Sequence, residues 1–343
     1  MRYSVTVLVP SIGRPKLLEF ALKGLMAQNF KDFEIFLILR KDDRKTIELV
    51  NYFKKSLDIQ VTFQRRPGLL EAYKEGISKA NGDIIFFQDD DAVAERNCIK
   101  EHVSTYNKYN IHGVSGEVFT ACIRNERLKI FSNVSEITTN FYMGSGIAKV
   151  LGNKLLDVPI KGQEGYLSYL SKAGYFRTSI YLKHQNTINS LLCMAANMSI
   201  LRSVINNCKL PKFLRLGINF EQIIGWQLWK KGYKTFFNSK AKVYRIKHGR
   251  SMSRFLDIEN ILQAVIEDEL VFYYLLLNGE KLSNMHRIAS LIYRNVLHIK
   301  RIKNNWKSEM AILKGIFLGN ITGLMETISG RLKDREIIIK TMR

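Results

Sequence analysis

Short apolar runs alternate with one-sided apolar stretches through the first third of the chain. Ser4 to Val9 reads as a strand, and Pro15 to Gln28 as a helix with Leu17, Leu18, Ala21, Leu22 and Leu25 on one face. Phe33 to Leu39 predicts a second strand, Lys45 to Leu57 a second helix and Ile59 to Phe63 a third strand. Leu69 to Ala80 predicts a third helix, closed by Asn81 and Gly82. Ile84 to Phe87 is apolar throughout and predicts a buried fourth strand. Strands alternating with helices predict an α/β fold on a parallel sheet with right-handed crossovers. The pattern loosens over residues 124–190, where Gly144-Ser145-Gly146 and Gly162 to Gly165 read as loops around short elements. Regular signal returns at Leu191 to Ser199 and in a helix from Glu221 to Lys231, which ends in Gly232. Val243 to Ile246 predicts the last strand, and from Phe255 the pattern is helical. These features divide the chain near Arg254, into residues 1–254 and a basic helical extension, 255–343.

The fourth apolar run ends in three consecutive carboxylates, Asp89, Asp90 and Asp91. Ligands of parallel sheets bind beyond the carboxyl ends of the strands, which is where the triplet falls. Carboxylates clustered in a cleft repel one another, so a positive neighbour is expected. Mg²⁺ or Mn²⁺ with oxygen ligands would serve, and such an ion in turn favours a diphosphate. The alternative is a solvated acidic turn.

Composition narrows the partners. A formal net charge of +22 implies attraction to polyanions: nucleic acid, anionic lipid headgroups or phosphorylated substrates. A basic nucleic-acid-binding protein would cluster Lys and Arg with stacking aromatics, or carry a known module; here the basic residues are dispersed. With 46% apolar residues in 343, the chain can build a sizeable core. Cys98, Cys122, Cys193 and Cys208 form no CxxC pair and read as buried thiols in a reducing compartment. The first apolar segment stops at Pro10-Ser11, too short for a signal core. The best apolar run, Leu270 to Leu277, falls well short of the ~18 residues of a membrane span. The expected location is the cytoplasm, in solution or peripheral on the inner face of the cell membrane.

The order of motifs resembles a family-2 glycosyltransferase with the GT-A fold. Val7-Leu8-Val9-Pro10-Ser11-Ile12-Gly13-Arg14-Pro15 resembles that family's "VPTYNRP" opening, and Leu22 to Gln28 its "LxSLLxQ". Phe33-Glu34-Ile35 resembles the "xEIIVV" strand, and Gly68 to Asp83 the "GxxxAxNxGxxxAxGD" stretch. Phe86-Phe87-Gln88-Asp89-Asp90-Asp91 resembles "FLDxD", Ala195 to Ser199 the later "GxN", and Glu221 through Tyr233 "EDxDLxxRLxxxGY". Together they cover residues 3–254. The resemblance implies a Rossmann-like, mostly parallel mixed sheet flanked by helices. It also implies transfer of a sugar from a nucleotide-sugar donor to a glycan or lipid-linked acceptor.

It further implies roles for particular residues. Asp91 is the leading metal ligand, with Asp89 either a second ligand or a contact to ribose or sugar. Asp90 is counted with the donor-binding residues, although strand alternation turns it away from its neighbours. Glu221 falls where the family carries its catalytic base, in an apolar setting (Phe220, Ile223, Ile224, Trp226) that would raise its pKa. Its alternative is a first-turn acid stabilised by the helix dipole. No second nucleophilic carboxylate is evident, which favours inversion. Pro10, Ser11, Arg14, Gly68 and Asp83 are the remaining donor candidates near the strands, and Asn197 and Trp226 the acceptor candidates. Asn197 otherwise reads as a helix cap, and Trp226 sooner as core packing, as aromatics at helical spacing more often are.

Two departures stand out. The second strand's acids, Asp42 and Asp43, come about three positions late, so Asp42 reaches the base by another path or the donor is not a UDP-sugar. Arg245 stands where a metal-binding histidine often lies, leaving His248 as the nearest candidate ligand. Arg250, Ser253 and Arg254 would then grip phosphate oxygens; a solvated basic turn is the alternative. A transferase-like scaffold without catalysis is a further reading, opposed by the intact Asp89 and Asp91.

The extension carries two helical stretches. Ile258 to Leu277 has acids, Glu259, Glu267 and Asp268, that favour packing on the catalytic part or on a twin subunit in a homodimer. Arg287 to Lys303 reads as a basic amphipathic helix suited to an anionic membrane surface, or as an ordinary helical subdomain.

Overall fold

The computed structural model describes residues 3–66, 68–135, 158–179, 187–248 and 258–332, with the side chains of 131–135 and 304 outside the description. The chain opens with β1 (Val5–Pro10), α1 (Pro15–Met26), β2 (Phe33–Leu39), α2 (Arg44–Phe53), β3 (Ile59–Phe63), α3 (Leu69–Lys79) and β4 (Ile84–Phe87). The strands pair in parallel as β3-β2-β1-β4. Leu18, Leu22 and Leu25 of α1 and Val50 and Phe53 of α2 pack with Val7, Val9 and Leu37 on one face. Leu70 and Tyr73 of α3 pack with Leu8, Ile38 and Phe87 on the other.

Beyond β4 come β5 (Ala92–Ala94), α4 (Cys98–Lys108), β6 (Gly113–Arg124), β7 (Arg127–Ser135), the hairpin β8 (Ser168–Leu170) and β9 (Phe176–Thr178), and β10 (Thr187–Asn189). Then follow β11 (Met198–Leu201), α5 (Arg202–Ile205), α6 (Phe220–Lys230) and β12 (Thr235–Ile246). β11 runs antiparallel between β4 and β6, and β12 lies parallel to β6. The order is β10-β12-β6-β11-β4-β1-β2-β3, with β5 pairing β12 and β7 pairing β6, a mixed sheet of ten strands among the described residues. The signal at Leu191 to Ser199 resolves into buried coil, a 3₁₀ turn over Ala195–Asn197 and only then a strand. The last strand begins at Thr235, well before Val243, because Phe237 and Ala241 are buried there too.

The C-terminal helices are α7 (Ile258–Leu277) and α8 (Asn284–Ile328). Leu262, Ile266 and Leu270 of α7 share a core with Leu8, Ile38 and Phe87 of the sheet. Glu267 is buried and accepts from the Arg215 and Leu216 amides at 2.9 and 2.8 Å. α8 breaks at Asn305 (φ −156°, ψ 68°) into two arms that fold back antiparallel. His298 meets Glu309 across them at 2.6 Å, and Arg287 meets Asn320 at 3.1 Å. Arg287 and Arg294, expected on an outer basic face, are buried. By length and composition Asn305–Ile328 would suffice to cross a membrane. A search for uninterrupted apolar runs passes it over because Lys307, Glu309 and Lys314 break it.

Candidate active site

The carboxyl ends of β1, β2 and β4 open on one edge of the sheet. Past β4 the chain is pinned by β12, whose Ile246 amide donates to the Asp91 carbonyl at 2.7 Å. Each member of the triplet then meets a different basic side chain. Asp89 pairs with Arg245 Nη2 at 2.8 Å and faces the Tyr73 hydroxyl at 3.4 Å. Asp90 is buried, held by Arg14 through Nε at 3.0 Å and Nη2 at 2.6 Å, and accepts from the Ser11 hydroxyl at 2.6 Å. Asp91 meets His248 Nε2 at 2.9 Å.

Their titration differs accordingly. Burial raises the Asp89 carboxyl, with Arg245 opposing it. Burial pushes Asp90 up to about 7, against Arg14 and Ser11. Burial would also raise Asp91, but the His248 hydrogen bond and Arg245 together carry it below the usual carboxylate range. Asp91 is thus the most readily ionised of the three.

Among the described residues no three His, Cys, Asp or Glu side chains converge closely enough to enclose a metal by themselves. Two fit one in part. Asp91 Oδ1 is buried without a hydrogen-bond donor, with Arg245 Nε 3.8 Å away. Asp91 Oδ2 and His248 Nε2 stand 2.9 Å apart. Neighbouring ligands about 2.1 Å from an octahedral ion are separated by about 3 Å. A carboxylate and an imidazole can therefore share one ion whose other positions are filled by phosphate and water. Asp89 is engaged by Arg245 at 2.8 Å.

Glu221 lies in the first turn of α6, after Asn219 in the left-handed region (φ 60°). It is half-buried. Burial pushes its carboxyl up to about 7, and Asp89 acts in the same direction, while its own amide, Arg245 and the Ala195 amide oppose them. Met194 (φ 62°, ψ 77°) bends the chain just before Ala195, a strained turn whose Ala195 amide lowers the Glu221 carboxyl. The sequence carried no signal for it. Tyr73 had one: a phenol in the otherwise apolar stripe of α3, which now packs between Phe87 and Phe220 and faces Asp89.

Other expected site residues lie elsewhere or are already engaged. Pro10 ends β1 and Gly68 starts α3 with φ 123°, both at the open edge. Ser11 and Arg14 are there too, but their polar groups are bound to Asp90. Asp42 is exposed and pairs with Arg40 at 2.8 Å, whereas Asp43 caps α2 and accepts from the Gly13 amide at 2.7 Å. Asp83 is corrected: it precedes β4, at the opposite end of the strand from the triplet, and accepts from the Ser4 amide and hydroxyl at 3.1 and 3.0 Å. Asn197 is corrected from acceptor contact to buried strut. Its amide donates to the Glu117 and Ala241 carbonyls at 2.8 and 2.9 Å, and its carbonyl meets His102 at 2.9 Å. Trp226 takes the core alternative to an acceptor contact: it is buried, its indole donating to Glu280 at 2.8 Å. Arg250, Ser253 and Arg254 lie outside the described residues.

A profile described as "Glycosyl transferase family 2" matches residues 6–202, more than half of the chain. The chain belongs to glycosyl transferase family 2. A Methanococcus voltae relative, a dolichyl N-acetyl-α-D-glucosaminyl phosphate 3-β-D-2,3-diacetamido-2,3-dideoxy-β-D-glucuronosyltransferase, is 22% identical over 186 residues. That match spans 51% of this chain and 50% of the relative, about half the length of each. Among solved structures, the mannosyltransferase PcManGT of Pyrobaculum calidifontis, in complex with GDP-Man and Mn²⁺, superposes with a TM-score of 0.51. It is 12% identical, and the match covers 96% of this chain and 80% of that one. GalNAc-T7 with UDP, GalNAc and Mn²⁺ gives a TM-score of 0.56 at 13% identity, covering 98% and 59%. At such identities the likeness concerns the fold, and it bears out the GT-A architecture expected of a family-2 glycosyltransferase.

Proposed function

We propose that the protein transfers a sugar from a nucleotide-sugar donor to a hydroxyl of a glycan or lipid-linked acceptor, with inversion. The observation that carries this reading is a pair of oppositely tuned carboxyls on one edge of the sheet. Asp91 is held ionised, and Glu221 is raised to about 7. Divergent environments of this kind divide the roles of charge holder and proton acceptor. Glu221 takes the proton of the acceptor hydroxyl during a single in-line displacement at the anomeric carbon.

Asp91 and His248 would hold the divalent ion. Its chemistry when bound is to neutralise charge on the leaving diphosphate. The imidazole favours Mn²⁺ over Mg²⁺. Two fold relatives solved with Mn²⁺ and a sugar nucleotide or nucleotide support this. Arg245 and Arg14 add fixed positive charge beside the same edge. The dolichyl-linked substrate named for the Methanococcus relative supports a lipid-linked acceptor. Such an acceptor would suit a cytoplasmic protein working at the inner face of the membrane.

The test is a thermal-shift panel of UDP-, GDP- and dTDP-sugars with and without Mn²⁺. One donor class should stabilise the protein only when Mn²⁺ is present, and Asp91→Ala should remove that increment. Equal stabilisation of the Asp91→Ala variant, or stabilisation by oligonucleotide alone, would overturn the proposal.

A further inference from the structure

The hairpin α8 is amphipathic in the opposite sense to a water-exposed helix. The inward stripe of its first arm is polar: Arg287, Ser290, Arg294 and His298 are all buried. Their charges are met inside. Arg287 and Arg294 both bind Glu269 of α7, the latter through Nη1 at 2.6 Å, and Glu269 has no solvent exposure. Asn320 from the second arm donates to the same carboxylate at 2.9 Å. The outward stripe is apolar. Met285, Ile288, Ile292, Val296 and Ile299 recur at three- and four-residue spacing, and Ile292 is 61% exposed. The second arm turns small and apolar residues inward, among them Ala311 and Ile316. Gly315 and Gly319 face α7, closely enough that an added Cβ would stand 2.8 Å from Val265 Cβ and 2.6 Å from Glu269 Cβ. Trp306, Phe317, Leu324 and Ile328 point outward, Ile328 being 79% exposed. Two apolar stripes, the second interrupted by Lys314, exceed the scattered apolar residues of an ordinary surface.

We propose that these stripes rest on an anionic membrane surface, with the arms lying along the interface. The choice of occupant follows from charge. Lys300, Lys303 and Lys307 are exposed around the break that Trp306 adjoins, and Lys314 is exposed along the second arm. Among the described residues of the hairpin the two carboxylates are both engaged, Glu309 by His298 and Glu326 by Arg331. A rim of Lys, an exposed Trp and an outward apolar stripe match a headgroup boundary. A second copy would bring the same cationic rim against itself, which is repulsive. The second arm packs its glycines on α7 and the first arm buries paired charges beside it. That three-helix arrangement favours lying in the plane over crossing it. This proposal stands independently of the transfer chemistry.

The experiment is vesicle flotation of the full chain, using phosphatidylcholine alone and phosphatidylcholine mixed with phosphatidylglycerol, at low salt and at about 0.5 M salt. The wild type should float with the anionic vesicles and keep part of its binding at high salt. The triple variant Ile292→Gln, Ile299→Gln, Trp306→Gln alters exposed side chains only, so its Tm should match the wild type. Its partitioning should fall by at least about tenfold. Failure of the wild type to float would overturn the proposal. So would equal flotation of the triple variant, which would reduce the binding to general positive charge. A stable dimer that the triple variant dissociates, without vesicle binding, would assign the stripes to a second copy instead.

Discussion

At the scale of the residue, Glu221 makes the sharpest demand. A general base works only when ionised, so a carboxyl raised to about 7 sets the acid limb of activity. kcat/KM should therefore rise with pH through about 7, whereas an unperturbed carboxyl would already have reached its plateau above about 5. Glu221→Gln should lower kcat by about 10²–10⁴-fold while leaving donor-induced stabilisation intact. Turnover close to wild type, or an acid limb near 4.5, would remove Glu221 from the role. The position of this residue and of the aspartate triplet was legible from motif order. So was His248 as a co-ligand of Asp91; the pairing of Asp89 with Arg245 was not. Asp89 and Asp91 are matched by Arg245 and His248, 156 and 157 residues further along, and only the return of β12 to the sheet brings them together. Asn197 shows the opposite error. Its motif position suggests an acceptor contact or a helix cap, yet its side chain is spent on two carbonyls and a histidine.

At the scale of the element, the βα units were readable because each apolar stripe has one sheet face to cover. β2, β3 and β4 fall where the pattern put them, and α1 to α3 end within a few residues of it. Beyond β4 the strands pair with distant partners, so local pattern located them poorly. Helix periodicity located α8 but not its orientation, because the polar stripe goes inside once Glu269 is there to meet it. The Gly82-Asp83 pair illustrates what a motif records. A Cβ on Gly82 would stand 2.5 Å from the Thr6 amide nitrogen and 2.7 Å from the Val5 carbonyl carbon. These are backbone atoms of β1 and cannot turn aside. The Gly82 amide also donates to the Thr6 hydroxyl at 2.8 Å, and its carbonyl accepts from Arg202 at 2.9 Å. Gly82→Ala should lower the unfolding free energy by about 1–3 kcal/mol, read from the urea midpoint. An unchanged midpoint would show that β1 and the α3–β4 turn can separate without cost.

At the scale of the whole molecule, the composition break near Arg254 and the core disagree about what stands alone. Leu262, Ile266, Leu270, Val271, Tyr274 and Leu275 of α7 are all buried in the same cluster as Leu8, Ile38 and Phe87. Burying such side chains stabilises by about 1.5–3 kcal/mol each, so the six contribute about 9–18 kcal/mol as an upper estimate. The net stability of a typical domain is only about 5–15 kcal/mol. α7 also brings Glu267, whose loss would strip the acceptor from the Arg215 and Leu216 amides. A chain ending at Arg254 should therefore lack a cooperative thermal transition, and the full chain should unfold in one transition, not two. Calorimetry on both chains checks this. If residues 1–254 melted cooperatively at the full-chain Tm, α7 would be an appended unit and the shared core energetically idle. The single-transition outcome would tie any membrane contact of the hairpin to the sheet through α7, placing the donor edge at a fixed distance from the lipid.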